Sequence, residues 1–118
     1  MNLNSVMIGS EQPGKLADYY ARLFGKPAME EGDFHSWQIG TGWFSVVAHD
    51  QVKGKNAHPG RVIWNIETPN VKGEFDRLAG AGATVVQEPY RPEGAPEGSL
   101  VATLSDPDDN YFQLVSPM

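Results

Sequence analysis

In the stretch QPGKLADYYARLFGKP, Leu16, Tyr19, Tyr20, Leu23 and Phe24 fall at the three- and four-residue spacing that gathers side chains on one helical face. Pro13 suits a first turn, where its missing N–H is not needed, and Gly25 suits an αL C-cap, so the segment has a start and a stop signal. On either side the period changes to two. LNSVMIG reads as a short strand before the helix, and FHSWQIG and WFSVVAHD as strands after it, separated by a tight turn at Thr41–Gly42. After the polar linker QVKGKNAHPG the order returns. RVIWNIET is a strand, and VKGEFDRLAGAG is a helix with Val71, Phe75, Leu78 and Ala79 on one face. ATVVQEPY, the loop RPEGAPEGS, LVATLSD and NYFQLVSP follow as further strands and their connection.

The chain therefore reads as a duplicated unit of strand, helix and strands. One such unit has an unpaired sheet edge and a sheet face that its single helix cannot cover, so two units are expected to associate and close a cavity between curved sheets. Alternation assigns the faces. If the helices cover Val6, Ile8, Phe44, Val46, Trp64, Ile66, Phe112 and Leu114, the opposite faces carry Ser5, Met7, Trp43, Ser45, Val47, Ile63, Asn65, Glu67, Tyr111 and Gln113. Trp37 is a further candidate for the cavity. The set is rich in aromatic and apolar groups with a few hydrogen-bonding ones, the makeup of a pocket for a flat, mostly apolar small molecule. The plainer alternative is a fully packed core.

Composition narrows the field. With 118 residues, 40% of them hydrophobic, the chain can bury one core, and residues 1–118 are expected to form a single domain, with modules over 1–50 and 61–118 and a linker over 51–60. A formal charge of −6 with scattered Lys and Arg argues against nucleic acid as a partner. No segment approaches the about 20 apolar residues needed to span a bilayer, and the N-terminus has no basic, apolar leader, so the expectation is a soluble cytoplasmic protein without a membrane partner. Cysteine is absent, which removes disulfides, thiolate nucleophiles and Cys-ligated zinc.

Of the three histidines, His58 lies in the linker, His35 begins a strand, and His49 falls by parity on the cavity face with Glu67 as a possible partner. His49 and Glu67 are the candidate acid–base pair, against a plainer reading as a rim residue and a solvated strand-end carboxylate. No two histidines have H-x-H or H-E-x-x-H spacing. The acidic run DPDDN fails as a calcium loop, because counting from Asp106 puts Tyr111 at the sixth position and Pro117 at the twelfth. Asp and Asn in that run suit a turn. GAGAT follows a helix and lacks a third glycine, so it is not a dinucleotide fingerprint, and Ser36 faces away from His35 on its strand.

NSVMIGSEQPGKLADYYARLFGKP, FDRLAGAGATVVQEPY and, most specifically, SDPDDNYFQLVSP resemble the vicinal oxygen chelate superfamily, which includes glyoxalase I, extradiol dioxygenases and bleomycin-resistance proteins. The resemblance implies an α+β fold of two tandem βαβββ modules whose curved mixed sheets enclose a cavity, and Asp109 stands where the family usually has glycine. For metal-dependent members it implies His or Gln early in each first strand and Glu in each last strand. Those positions fall on Ser5, Ile63, Ser45 and Gln113. Of the four only Gln113 could bind a metal, and one amide oxygen supplies neither the charge nor the ligand count of a catalytic divalent ion. The expectation is a metal-independent small-molecule-binding protein with no metal and no cofactor, similar to the drug-sequestering members and, by the resemblance, a homodimer. The alternative is a glyoxalase-like lyase or isomerase that uses a nonstandard metal site or His49 and Glu67.

Overall fold

A computed structural model describes all 118 residues, which divide into two compact units, Met1–Lys55 and Asn56–Met118. The first contains β1 (Ser5–Ser10), α1 (Pro13–Phe24), β2 (Met29–Glu31), β3 (Phe34–Ile39) and β4 (Gly42–Ala48). Its sheet has the order β1-β4-β3-β2, with β1 parallel to β4 and the other neighbours antiparallel. The second contains β5 (Ile63–Glu67), α2 (Val71–Gly80), β6 (Thr84–Tyr90), β7 (Val101–Ser105) and β8 (Tyr111–Val115). Its sheet runs β5-β8-β7-β6, again with one parallel pair, β5 and β8. Both units are βαβββ modules with open mixed sheets. The duplication extends to register, since Ser5↔Trp43 opens the first parallel pair as Ile63↔Tyr111 opens the second.

The two helices form for the reasons read from their spacing. In α1, Leu16, Ala17, Tyr19, Tyr20 and Leu23 are buried, and Pro13 occupies the first turn. The ring of Tyr20 meets Phe44 at 4.6 Å and Trp37 stacks on Phe44 at 5.7 Å, so this core is built of aromatic rings. In α2, Asn70 caps the N-terminus by accepting the Gly73 N–H at 3.0 Å, and Val71, Phe75 and Leu78 are buried. Ala102, Leu104, Phe112 and Leu114 are buried in β7 and β8, and Trp64 stacks on Phe112 at 5.3 Å.

Four details differ from the sequence reading. Trp37 lies on the helix face, directly opposite Phe44, and its Nε1 donates to the Gly25 carbonyl at 2.8 Å, so it belongs to the core and not to the opposite face. Gly25 has positive φ, but with φ 86° and ψ −168° it is extended and not αL, a conformation essentially reserved for glycine. The β3–β4 turn consists of Gly40 and Thr41, one residue earlier than expected, with Gly40 at φ 60°. The short edge strand β2 was not visible in the pattern, because Met29, Glu30 and Glu31 are all exposed and show no alternation.

The acidic run is a turn between β7 and β8, which pair antiparallel from Ser105↔Tyr111. Asp106, 2% exposed, organises it. One of its carboxylate oxygens accepts the N–H groups of Asp108 and Asn110, both at 2.9 Å, and the Asn110 side chain reaches the other at 3.1 Å. Asp109 has φ 62°, so the chain does need a left-handed residue where the family usually places glycine.

Candidate functional site

The residues expected to face a ligand are placed by the ladders on the sheet faces opposite the helices. In the first unit, Phe44 and Val46 go to the helix side, so Trp43, Ser45 and Val47 go to the other, together with Ser5 and Met7 across the parallel pair. Met7 is 60% exposed, and Trp43 and Val47 are half-buried. In the second unit, Phe112 and Leu114 take the helix side, and Tyr111 and Gln113 share the opposite face with Ile63, Asn65 and Glu67. Tyr111, Gln113 and Ile63 are half-buried, whereas Asn65 and Glu67 are exposed. Each face thus carries the mixture of aromatic, aliphatic and amide or hydroxyl groups read from the sequence.

The two last-strand positions that a metal-dependent relative would fill with glutamate have hydrogen-bond partners within their own sheets. Ser45 Oγ lies 2.9 Å from Ser36 Oγ, its cross-strand partner in β3, and the Ser36 hydroxyl also reaches the Phe44 carbonyl at 3.4 Å. Gln113 Nε2 donates to Thr103 Oγ1 at 3.0 Å, again directly across the ladder. Ser36 and Thr103 are equivalent in register, each opposite the same position of its module's last strand. Sequence reasoning noticed neither as a partner. Strand pairing was the available signal, since a hydroxyl directly opposite Ser45 or Gln113 is within hydrogen-bonding reach.

The outcome for the first unit is a closed pair. Ser45 is only 4% exposed and its hydroxyl is engaged, so it gives a ligand little to hold. Gln113 is different, because its amide has two arms and Thr103 engages one of them. No group of three His, Asp or Glu side chains is placed to hold a metal ion.

His49 lies just beyond the end of β4. Its Cβ stands 2.8 Å from where a Cβ on Gly9 would be, so it sits over Gly9 on the side of the sheet that carries Ser5 and Met7. Only glycine permits that approach. The His49 Nδ1 accepts the Gln51 N–H at 3.2 Å, which leaves Nε2 to carry the proton in the neutral ring. An open pocket of about 500 Å³ adjoins it, lined by Ser10, Glu11, Ala48, His49, Asp50 and Lys53 at the carboxyl ends of β1 and β4. Glu67, the proposed partner of His49, belongs to the other unit and ends β5 exposed. His35 is on the helix face opposite Val46, with Nε2 3.6 Å from Glu30 Oε1, and His58 precedes a short 3-10 turn at Pro59–Arg61 with its ring exposed.

Two βαβββ modules, each a four-stranded mixed sheet with one helix, define the architecture of the vicinal oxygen chelate proteins. The model of the glyoxalase-like domain family matches residues 5–115, and the chain belongs to that family. Among solved structures, a glyoxalase/bleomycin resistance protein/dioxygenase family enzyme from Burkholderia phytofirmans PsJN superposes with a TM-score of 0.75 at 18% identity, covering 100% of both chains. A glyoxalase-related enzyme from Fulvimarina pelagi gives 0.75 at 17% identity, over 99% of this chain and 88% of its own. TioX from Micromonospora sp. ML1 gives 0.72 at 18% identity over 100% of both. At these identities the likeness is one of fold. No curated protein sequence matches the chain. No helix is long and apolar enough to cross a membrane.

Proposed function

We propose that this is a metal-independent small-molecule-binding protein of the glyoxalase/bleomycin-resistance type, which holds a flat, largely apolar ligand against the helix-free sheet faces. The observation that carries the reading is the state of the four ligand positions. Ser5 and Ile63 offer a hydroxyl and a hydrocarbon, and Ser45 and Gln113 are hydrogen-bonded to Ser36 and Thr103. A divalent ion needs several charged or imidazole ligands converging on one point, and these residues supply none. Aromatic and aliphatic groups at Trp43, Val47, Ile63 and Tyr111 favour packing against a ring system, with Asn65 and Gln113 to orient it. In this reading the protein acts in the cytoplasm, and as a homodimer by the family resemblance. A library of flat aromatic fragments screened by NMR in the presence of EDTA tests it. Expected are hits that perturb Trp43, Ile63, Tyr111 and Gln113, and a library without a single hit there would overturn the reading.

A second reading is favoured by the pocket beside His49, where an imidazole stands near carboxylates and a lysine. There the protein would be a glyoxalase-like lyase or isomerase with His49 and Glu67 as acid and base. Turnover of a hemithioacetal that disappears in both His49→Ala and Glu67→Ala is its signature. Equal turnover by either variant removes that variant's residue from the mechanism.

A further inference from the structure

The segment that leads to β5 is exposed at Lys55, Ala57 and His58, but Asn56 among them is half-buried. Three hydrogen bonds hold it. Its backbone N–H donates to the Asp108 carbonyl at 2.7 Å, its Nδ2 donates to Asn110 Oδ1 at 3.2 Å, and its Oδ1 accepts the His58 N–H at 2.9 Å. These bonds have only one consistent direction. A backbone N–H can only donate, so the His58 N–H fixes which end of the Asn56 amide is oxygen. Nδ2 then faces Asn110, Asn110 meets it with Oδ1, and the Asn110 Nδ2 is left for the two oxygens of Asp106, at 3.1 and 3.3 Å. Asp106 is 2% exposed and also accepts the N–H groups of Asp108 and Asn110, so the relay ends on a buried anchor.

The relay joins the approaches to two strands that carry candidate ligand groups. Asn110 directly precedes Tyr111, the first residue of β8, and from His58 the chain passes through the 3-10 turn at Pro59–Arg61 to Ile63, the first residue of β5. Ile63↔Tyr111 is the first rung of their parallel pair. β5 is the edge of its sheet, with a ladder partner on one side only. Resting on the ligand-binding reading above for its consequence, we infer that Asn56 is a latch: a positioning residue that seats the segment before β5 on the turn before β8 and so sets Ile63 beside Tyr111. With the latch open, residues 57–62 form a strap tied down at β5 alone. A flat ligand packed on Ile63 and Tyr111 favours the closed latch, because it binds the closed arrangement and not the open one.

Amide hydrogen exchange on the ¹⁵N-labelled full chain tests this, with Asn56→Asp and Asn56→Ser. The first keeps an acceptor for the His58 N–H but turns a carboxylate oxygen onto Asn110 Oδ1. The second also keeps an acceptor, adds no charge, and is too short to reach Asn110. Loss of one hydrogen bond predicts about tenfold lower protection at residues 56 and 58 and at the start of β5 in both variants. The amides of Asp108 and Asn110, held by Asp106, and those of Phe44 and Val46 in the first module should keep theirs. Unchanged protection before β5 in both variants, or equal losses in the β7–β8 turn and at Phe44, would overturn the latch. Indole, a flat probe, tests its link to the ligand face: at about ten times its Kd it should restore protection before β5 about tenfold. Indole that shifts Ile63 and Tyr111 without restoring protection would overturn the positioning role. Indole that binds nowhere on these faces counts against the ligand-binding reading, and the exchange losses still decide the latch.

Discussion

The two modules place different chemistry on the same register positions. Opposite its last strand, the first has Trp37 against Phe44 and Ser36 against Ser45, where the second has Leu104 against Phe112 and Thr103 against Gln113. On the helix side the first is therefore a cluster of rings, Tyr20, Trp37 and Phe44, and the second mixes aliphatic side chains with the Trp64–Phe112 stack. On the other side the first presents a small closed hydroxyl pair and the second a longer amide with one arm open. A duplicated backbone thus needs only hydrophobic bulk on its helix face. The opposite face is free to differ, and there the hydrogen-bonding groups at equivalent positions differ in size and in how fully they are engaged.

The hairpin turns offer the strongest way to break that comparison. The second module's turn depends on a buried carboxylate, and the first module's is the two residues Gly40 and Thr41. Asp106→Ala strands buried N–H groups and should destabilise the protein by about 3 kcal/mol in urea unfolding, while Thr41→Ala should stay within about 0.5 kcal/mol. Trp37→Leu, which gives the first module the residue of the second, should cost about 2 kcal/mol through lost ring packing and the lost bond to Gly25. Ser36→Ala and Ser45→Ala should each cost about 1 kcal/mol, and the double variant no more than either alone, because one hydroxyl without the other is a buried group with an unmet bond. Additive losses in that cycle would show that the two hydroxyls are independent. A gain is expected at Asp109, where glycine should raise stability by about 0.5–1 kcal/mol by relieving a left-handed conformation.

Much of this fold was legible because the chain states it twice. Helix faces and the returning order of elements agreed, and DPDDN could be read as a turn from the chemistry of Asp and Asn. β2 escaped because three exposed residues carry no pattern, whereas β6 was read from ATVVQEPY although it is exposed along most of its length and interrupted by register shifts. Trp37 could have been assigned correctly. Any two-residue turn between β3 and β4 puts it on the face of Phe44 and Val46, and only the exact partner depends on where the turn falls. The partner of Ser45 does depend on it, which is why the Ser36–Ser45 pair required the structure. His49 was assigned to the right side of its sheet by parity, but its seat over Gly9 comes from a close approach that no periodicity encodes.

Metal analysis of the protein purified without chelator tests the central claim most directly, with Gln113→Ala measured alongside. The account predicts no stoichiometric divalent ion in either protein, because Ser5, Ser45, Ile63 and Gln113 do not form a ligand set. One tightly held divalent ion per chain, released by Gln113→Ala, would contradict it.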